Sequence, residues 1–253
     1  MSTPPPPVVP PPPAAPGLFE PERLVNTFIA PAKTMADIQR NASWWAPFVV
    51  IAIFTLFYVF MLGSKIGWQQ IVENEIQKNA KAMEQIDKMP PEQREKMLDL
   101  QVTITKYASY ASPVFALVSY AIIALVLMAV FNFGFGAQLK FPQCMAITVY
   151  SALVNVVSIL LGVITFFAGL DPERFNVRNP VATNPAYFMN PMQHKFLYGV
   201  VSAFDIVVLW YIFVMSVGIS RNSKVKTGVA FATIFALYFL LKLAGAAITV
   251  ATS

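Results

Sequence analysis

The residues best able to do chemistry in this chain are two ionisable groups, Asp205 and Lys242, set inside otherwise apolar stretches. A charged side chain near the centre of a bilayer costs about 2.5–3.5 kcal/mol on insertion scales, so such residues are expected to be paired or to work. Asp205 lies nine residues in from the start of the stretch Phe196 to Ile219, and Lys242 nine residues in from the end of the stretch Val229 to Ala251. At about 1.5 Å of rise per residue, both sit about 13 Å below the same membrane surface if the two helices are antiparallel neighbours. The spacing predicts an intramembrane ion pair between Asp205 and Lys242. Separate snorkelling of each group toward water and a proton or ion relay are the other arrangements open to them.

The remaining reactive residues point away from catalysis. His194 stands alone beside a membrane boundary, without a nucleophile or carboxylate at recognisable spacing, and reads as a solvated or interfacial residue. Cys144 is the single cysteine, so no intramolecular disulfide is available, and it reads as a small core residue. There is no phosphate-cradling glycine loop, no HExxH and no GxSxG. The expectation is a non-enzymatic protein with no catalytic residue, no cofactor and no metal. Asn41-Ala-Ser43 matches a glycosylation sequon but falls on the predicted cytoplasmic side.

The elements that must position these residues are transmembrane helices. With 57% hydrophobic and 12% charged residues and a mean hydropathy of +0.59, the chain is too apolar for a soluble domain of its length. Stretches long enough to cross a hydrocarbon core of about 30 Å recur, separated by charged breaks. The predicted fold is an all-α polytopic membrane helix bundle with about five transmembrane helices: Ala46 to Leu62, Pro113 to Phe135, Met145 to Leu170, Phe196 to Ile219 and Val229 to Ala251. Trp44 and Trp45 precede the first span as interfacial anchors. Asn132, Asn155 and Ser158 are expected to hydrogen-bond between helices, and Gly134, Gly136, Gly162 and Gly245 to let backbones approach.

Residues 1–21 hold ten of the twenty prolines, which favours a solvated, semi-extended and disordered arm rather than a helix. Residues 22–45 form an interfacial amphipathic segment, with Leu24, Val25, Phe28 and Ile29 to one side and Arg23, Lys33 and Arg40 on the other faces. Such a segment either lies flat on the membrane or packs against the helix ends. The membrane domain, residues 46–251, includes an extracytoplasmic helical hairpin over 63–112, broken at Pro90 and Pro91, with Glu92 and Lys96 at i,i+4 spacing. The connection Asp171 to Lys195, with its four prolines, is expected to be irregular. Arg221, Lys224 and Lys226 in one short turn and Lys140 in another, without acids, place both turns and the N-terminus in the cytoplasm and the C-terminus outside. The net charge of +5 is scattered, which suits anionic lipid headgroups rather than nucleic acid.

Several of these residues carry a family resemblance. Phe28-Ile-Ala-Pro31-Ala-Lys-Thr34-Met35 ahead of Trp44-Trp45-Ala-Pro47, then Asp205 with Leu209-Trp210 and Gly218, a short basic turn and a final helix resemble the Yip family of five-span membrane proteins. The likeness covers roughly residues 25 to 250 and is nearest to uncharacterised bacterial members of that family. It implies five spans, a cytoplasmic N-terminus and residence in a bacterial inner membrane. It also implies a scaffold or adaptor role in membrane organisation or trafficking, through a membrane-protein partner or self-association. The Asp-Leu-Tyr-Gly-Pro motif of the eukaryotic members is absent, and no partner is carried over. The alternative function is a transporter or channel component using the Asp205 and Lys242 pair.

Overall fold

The structure, a computed structural model, describes residues 17–78, 80–169, 171–190 and 193–252, so most of the proline-rich arm lies outside the described residues. Helix is the only regular secondary structure among them. Helices α1 (Glu20–Ile29) and α2 (Pro31–Asp37) precede α3 (Trp45–Lys65), the first span. Next come α4 (Trp68–Gln77), α5 (Ala80–Asp87) and α6 (Pro91–Tyr110), none of them a candidate span, and α6 runs into the second span, α7 (Ser112–Phe135). The third span, Phe141–Phe167, is built from α8 (Phe141–Ala152) and α9 (Val156–Phe167), joined by a 3-10 turn at Leu153–Asn155. After an irregular connection come α10 (Lys195–Val201) and α11 (Ile206–Asn222), and then α12 (Thr227–Thr252).

Four continuous segments are long and apolar enough to cross a bilayer, and α10 with α11 makes a fifth as a pair bent by 45°. The chain is thus an all-α polytopic bundle, and the expected stretches coincide with helices to within a few residues. The fourth is the exception: the continuous helix expected from Phe196 to Ile219 is broken between Ser202 and Asp205. Asp205 explains the break. Its Oδ1 accepts hydrogen bonds from the backbone N–H groups of Val207 (2.9 Å) and Val208 (3.2 Å), so the side chain caps a new helix.

The third span is the hub of the bundle. Every residue from Cys144 to Val154 is buried, against α7, α11 and α3. Small and β-branched side chains (Ala146, Thr148, Val149, Ser151 and Ala152) allow helices to close on α8 from all sides. Gly218 of α11 shows how close: a Cβ there would stand 2.5 Å from Ile147 Cγ2 and 3.0 Å from Met35 Sδ. The turn from α7 to α8 is closed by Asn132, which donates from Nδ2 to the Leu139 carbonyl (2.9 Å) and accepts at Oδ1 from the Leu139 N–H (2.7 Å). Gly136, with φ of 64°, ends α7 in the left-handed conformation that glycine adopts without penalty.

A second apolar cluster (Met61, Leu62, Ile66, Ile71, Phe166 and Phe175) lies at the other end of the bundle, where α4 packs on the ends of α3 and α9. Asn74 fixes residues 171–195, the second long connection after the 63–112 hairpin, to it, donating from Nδ2 to the carbonyls of Pro172 (2.8 Å) and Phe175 (3.2 Å). Within the 63–112 hairpin, α4 packs on α5 and α6. The Glu92–Lys96 spacing produces no pair among the described residues; both are exposed, and the ion pairs within this region include Lys78 with Glu75 at 2.7 Å and Lys88 with Glu84 at 2.6 Å.

Candidate functional site

Asp205 is positioned by the break in the fourth span, and both carboxylate oxygens are occupied. Oδ1 caps α11, while Oδ2 accepts from Thr183 Oγ1 (2.5 Å) and Asn184 Nδ2 (3.2 Å) of the second long connection. Lys242, on α12, donates to Ser202 Oγ (3.4 Å) at the end of α10, and its Nζ lies 5.8 Å from the Tyr238 ring centroid. Asp205 and Lys242 line one cavity, yet no salt bridge joins them among the described residues. The expected direct ion pair is therefore replaced by two separate sets of partners. The pairing expected from equal depth requires one unbroken helix, whereas the chain breaks between α10 and α11 and Asp205 turns to cap α11.

The cavity holds about 750 Å³ between α10, α12, α4 and the second long connection. Its wall is of mixed character. Helix α4, the second long connection and the start of α10 contribute Glu75, Lys78, Arg178 and Lys195, and α12 contributes Leu241, Gly245 and Ile248. Glu75 pairs with Lys78 (2.7 Å) and Arg178 (2.9 Å), and Lys78 also donates to Asn176 Oδ1 (3.1 Å). Tyr198, Asn179 and Asn184 extend the polar wall: Asn179 donates to the Tyr198 hydroxyl (3.2 Å), and Asn184 donates to Asn179 Oδ1 (2.8 Å). Close contact of α10 with α12 sets one side, since a Cβ at Gly199 would stand 2.7 Å from Ala246 Cβ.

A polar centre that the sequence did not announce lies at the opposite end. Arg23 of α1, expected on an outer face of the interfacial segment, is completely buried. Its Nη1 bonds Glu20 Oε1 (3.1 Å), its Nε stands 3.5 Å from Asp37 Oδ2, and its Nη2 donates to the Asn41 carbonyl (2.9 Å). The guanidinium lies 4.6 Å from the ring centroid of Tyr150 of the third span, whose hydroxyl donates to Glu20 Oε2 (2.6 Å). Thr27 and Thr34 both donate to the Arg23 carbonyl, so α1 and α2 are tied to each other as well as to the hub. Asn222 donates to the Met35 carbonyl (2.8 Å), and Gln39 to that of Arg221, fastening α2 to the end of α11. Helix α1 is thus amphipathic in the inverted sense, with Arg23, Asn26 and Thr27 inward and Val25 and Ile29, like Phe19 just ahead of the helix, exposed.

The other expected site residues are placed as follows. Trp45 begins α3 and is exposed, while Trp44 is half-buried, edge-on to Phe48 at 6.1 Å. Cys144 is a free, buried thiol in the hub, and His194 is exposed at the start of α10. Gly162 receives the ring of Tyr58, whereas a Cβ at Gly134 or Gly245 would meet no atom within 4 Å.

One surface remains uncovered. Along α6, Leu100, Ile104 and Tyr107 are 59%, 57% and 67% exposed, and the row continues through half-buried Ala111 to the exposed Val114 and Val118 of α7. Ala111 keeps right-handed helical geometry (φ −80°, ψ −3°), and its N–H still bonds the Tyr107 carbonyl, so the two helices follow one another.

Against known families, the Yip1 domain matches residues 25–248. No curated protein and no solved structure matches the chain.

Proposed function

This chain belongs to the Yip1 domain family of multi-pass membrane proteins, and from that premise we propose that it is a non-enzymatic membrane scaffold that works by pairing with a second copy of itself through α6 and α7. The observation that carries the proposal is the exposed row Leu100, Ile104, Tyr107, Ala111, Val114 and Val118. Its alternating steps of four and three residues are the spacing of a helix seam that winds around another helix. The row passes from outside the membrane into the bilayer, so whatever covers it must do the same. A second copy meets that condition, because a two-fold axis along the membrane normal sets the two seams side by side in parallel. Flanking residues fit such a pair: Lys96 would face Gln101 and Thr103 would face Ala108, with no like charges opposed.

The Asp205 and Lys242 geometry supports structural use rather than flux, since both Asp205 oxygens are engaged in holding the break and the connection above it. Trp44 and Trp45 serve in this reading as the girdle that fixes the height of α3 in the bilayer.

The test is oxidative cross-linking in native membranes, in a Cys144→Ala background. Ile104→Cys should give a covalent dimer, and Leu98→Cys, on the half-buried side of α6, should not. Single-molecule photobleaching of the full chain should show two copies per particle, falling to one for Ile104→Glu. Single copies in the unsubstituted protein, or equal cross-linking from both positions, would refute the pairing.

A further inference from the structure

We propose that the cavity between α10, α12 and the long connections is a binding site for the phosphate of an anionic lipid, drawn from the leaflet on the side of those connections. Three features of the cavity carry this, and none depends on the pairing seam.

The first is charge. Lys78, Arg178, Lys195 and Lys242 face Glu75 and Asp205, four cations against two carboxylates, an excess of two positive charges. The carboxylates are already spoken for: Glu75 is shared by Lys78 and Arg178, and Asp205 accepts four hydrogen bonds. Lys195 and Lys242 have no carboxylate within salt-bridge distance among the described residues, and the one hydrogen bond of Lys242 is a long one to a neutral hydroxyl. A cationic group inside a span without an acidic partner is costly, and an anion entering beside it relieves that cost.

The second feature is the mixed wall. A soluble anion needs only the polar groups. This cavity continues to Leu241 and Ile248, which are 75% and 62% exposed on a membrane-spanning helix, so it opens sideways into the bilayer. With Gly199 against Ala246 and Ser202 against Lys242, Lys195 stands at the outer end of the cavity and Lys242 at its inner end, so a phosphate held between them leaves its acyl chain to pass Leu241 into the bilayer. Gly245 is the third feature. It lines the cavity and has open space where a side chain would stand, which leaves room on α12 between the levels of Lys195 and Lys242 for the lipid to enter. The volume of about 750 Å³ falls within the range of small-molecule sites and accommodates a headgroup with the first part of its chains.

Native mass spectrometry and thermal melting of the full chain test the site, with phosphatidylglycerol, phosphatidylcholine and soluble glycerol 3-phosphate as probes. Phosphatidylglycerol is expected to be retained and to raise the melting temperature. Phosphatidylcholine, whose net charge is zero, should bind at least tenfold more weakly. Lys242→Gln and Lys195→Gln should each weaken phosphatidylglycerol binding about tenfold, the loss of one charge-assisted hydrogen bond, and Lys242→Arg should retain it. Gly245→Leu keeps every charge, and its Cβ meets no atom within 4 Å, so it should fold normally and still lose the lipid. Equal binding of glycerol 3-phosphate with no effect of Gly245→Leu would identify a soluble phosphate ester as ligand and overturn the lipid assignment. Phosphatidylglycerol binding indifferent to all of these substitutions would overturn the site altogether.

Discussion

Replacing Arg23 by alanine should release α1 and α2 from the bundle. The side chain is fully buried, bonds Glu20 and the Asn41 carbonyl, and lies beside Asp37, which is itself only 8% exposed. Removal leaves the Asp37 carboxylate with the Leu18 N–H at 3.3 Å and strips the Tyr150 face of its cation. Breaking a buried ion pair by deleting one partner costs about 3–5 kcal/mol, chiefly the desolvation of the charge left behind. At about 1.4 kcal/mol per decade, that is a factor of about a hundred to a few thousand in the local opening equilibrium. Hydrogen exchange of the α1 and α2 amides in lipid nanodiscs reads it directly: protection should fall by up to that factor there, with the α8 amides little changed. The double variant Arg23→Met with Asp37→Leu removes both charges and should recover much of the loss. A change below tenfold for Arg23→Ala, or a double variant as unprotected as the single one, would refute the claim that this network holds the N-terminal helices.

Gly218→Val puts a branched side chain where even a Cβ would stand 2.5 Å from Ile147 Cγ2, and should cost about 1–3 kcal/mol of overpacking, seen as a lowered melting temperature in detergent. Asp205→Ala removes a helix cap worth about 1–2 kcal/mol and two further acceptor contacts, whereas Asp205→Asn, also a good cap, should melt closer to the unsubstituted protein. Asn132→Leu should loosen the α7–α8 turn through the two Leu139 hydrogen bonds it loses, read as faster exchange of the Leu139 amide.

The spans were legible because about twenty apolar residues in a row is a signal carried by the chain alone, independent of any neighbour. The break before Asp205 escaped that reading: Ser202-Ala-Phe-Asp205 contains neither glycine nor proline, so a hydropathy window slides over it. The available signal was an N-cap residue directly ahead of an apolar run. Arg23 was misplaced for a different reason. Reading α1 by its apolar side hid the stripe Glu20, Arg23, Asn26 and Thr27, which recurs at helical spacing and in a membrane protein turns inward. Its partners Asp37 and Tyr150 come from two other helices, and no local pattern names them. The cavity is still more remote from sequence, since α4, α10, α12 and an irregular connection all contribute to its wall.

The hydrogen bond from Asn222 to the Met35 carbonyl closes a gap of 187 residues. A ribosome adding about 5–20 residues per second needs roughly ten to forty seconds to cover that distance. For that interval the first helices made have no finished place to sit: Tyr150 of the hub follows Glu20 by 130 residues, and the helix end that clasps Met35 comes later still. The outward residues Phe19, Val25 and Ile29 give the nascent segment something to hold meanwhile, the lipid surface beside the insertion site. Assembly of this protein is therefore ordered so that its beginning is locked last, and damage to α11 is expected to appear in the cell as an exposed N-terminal segment.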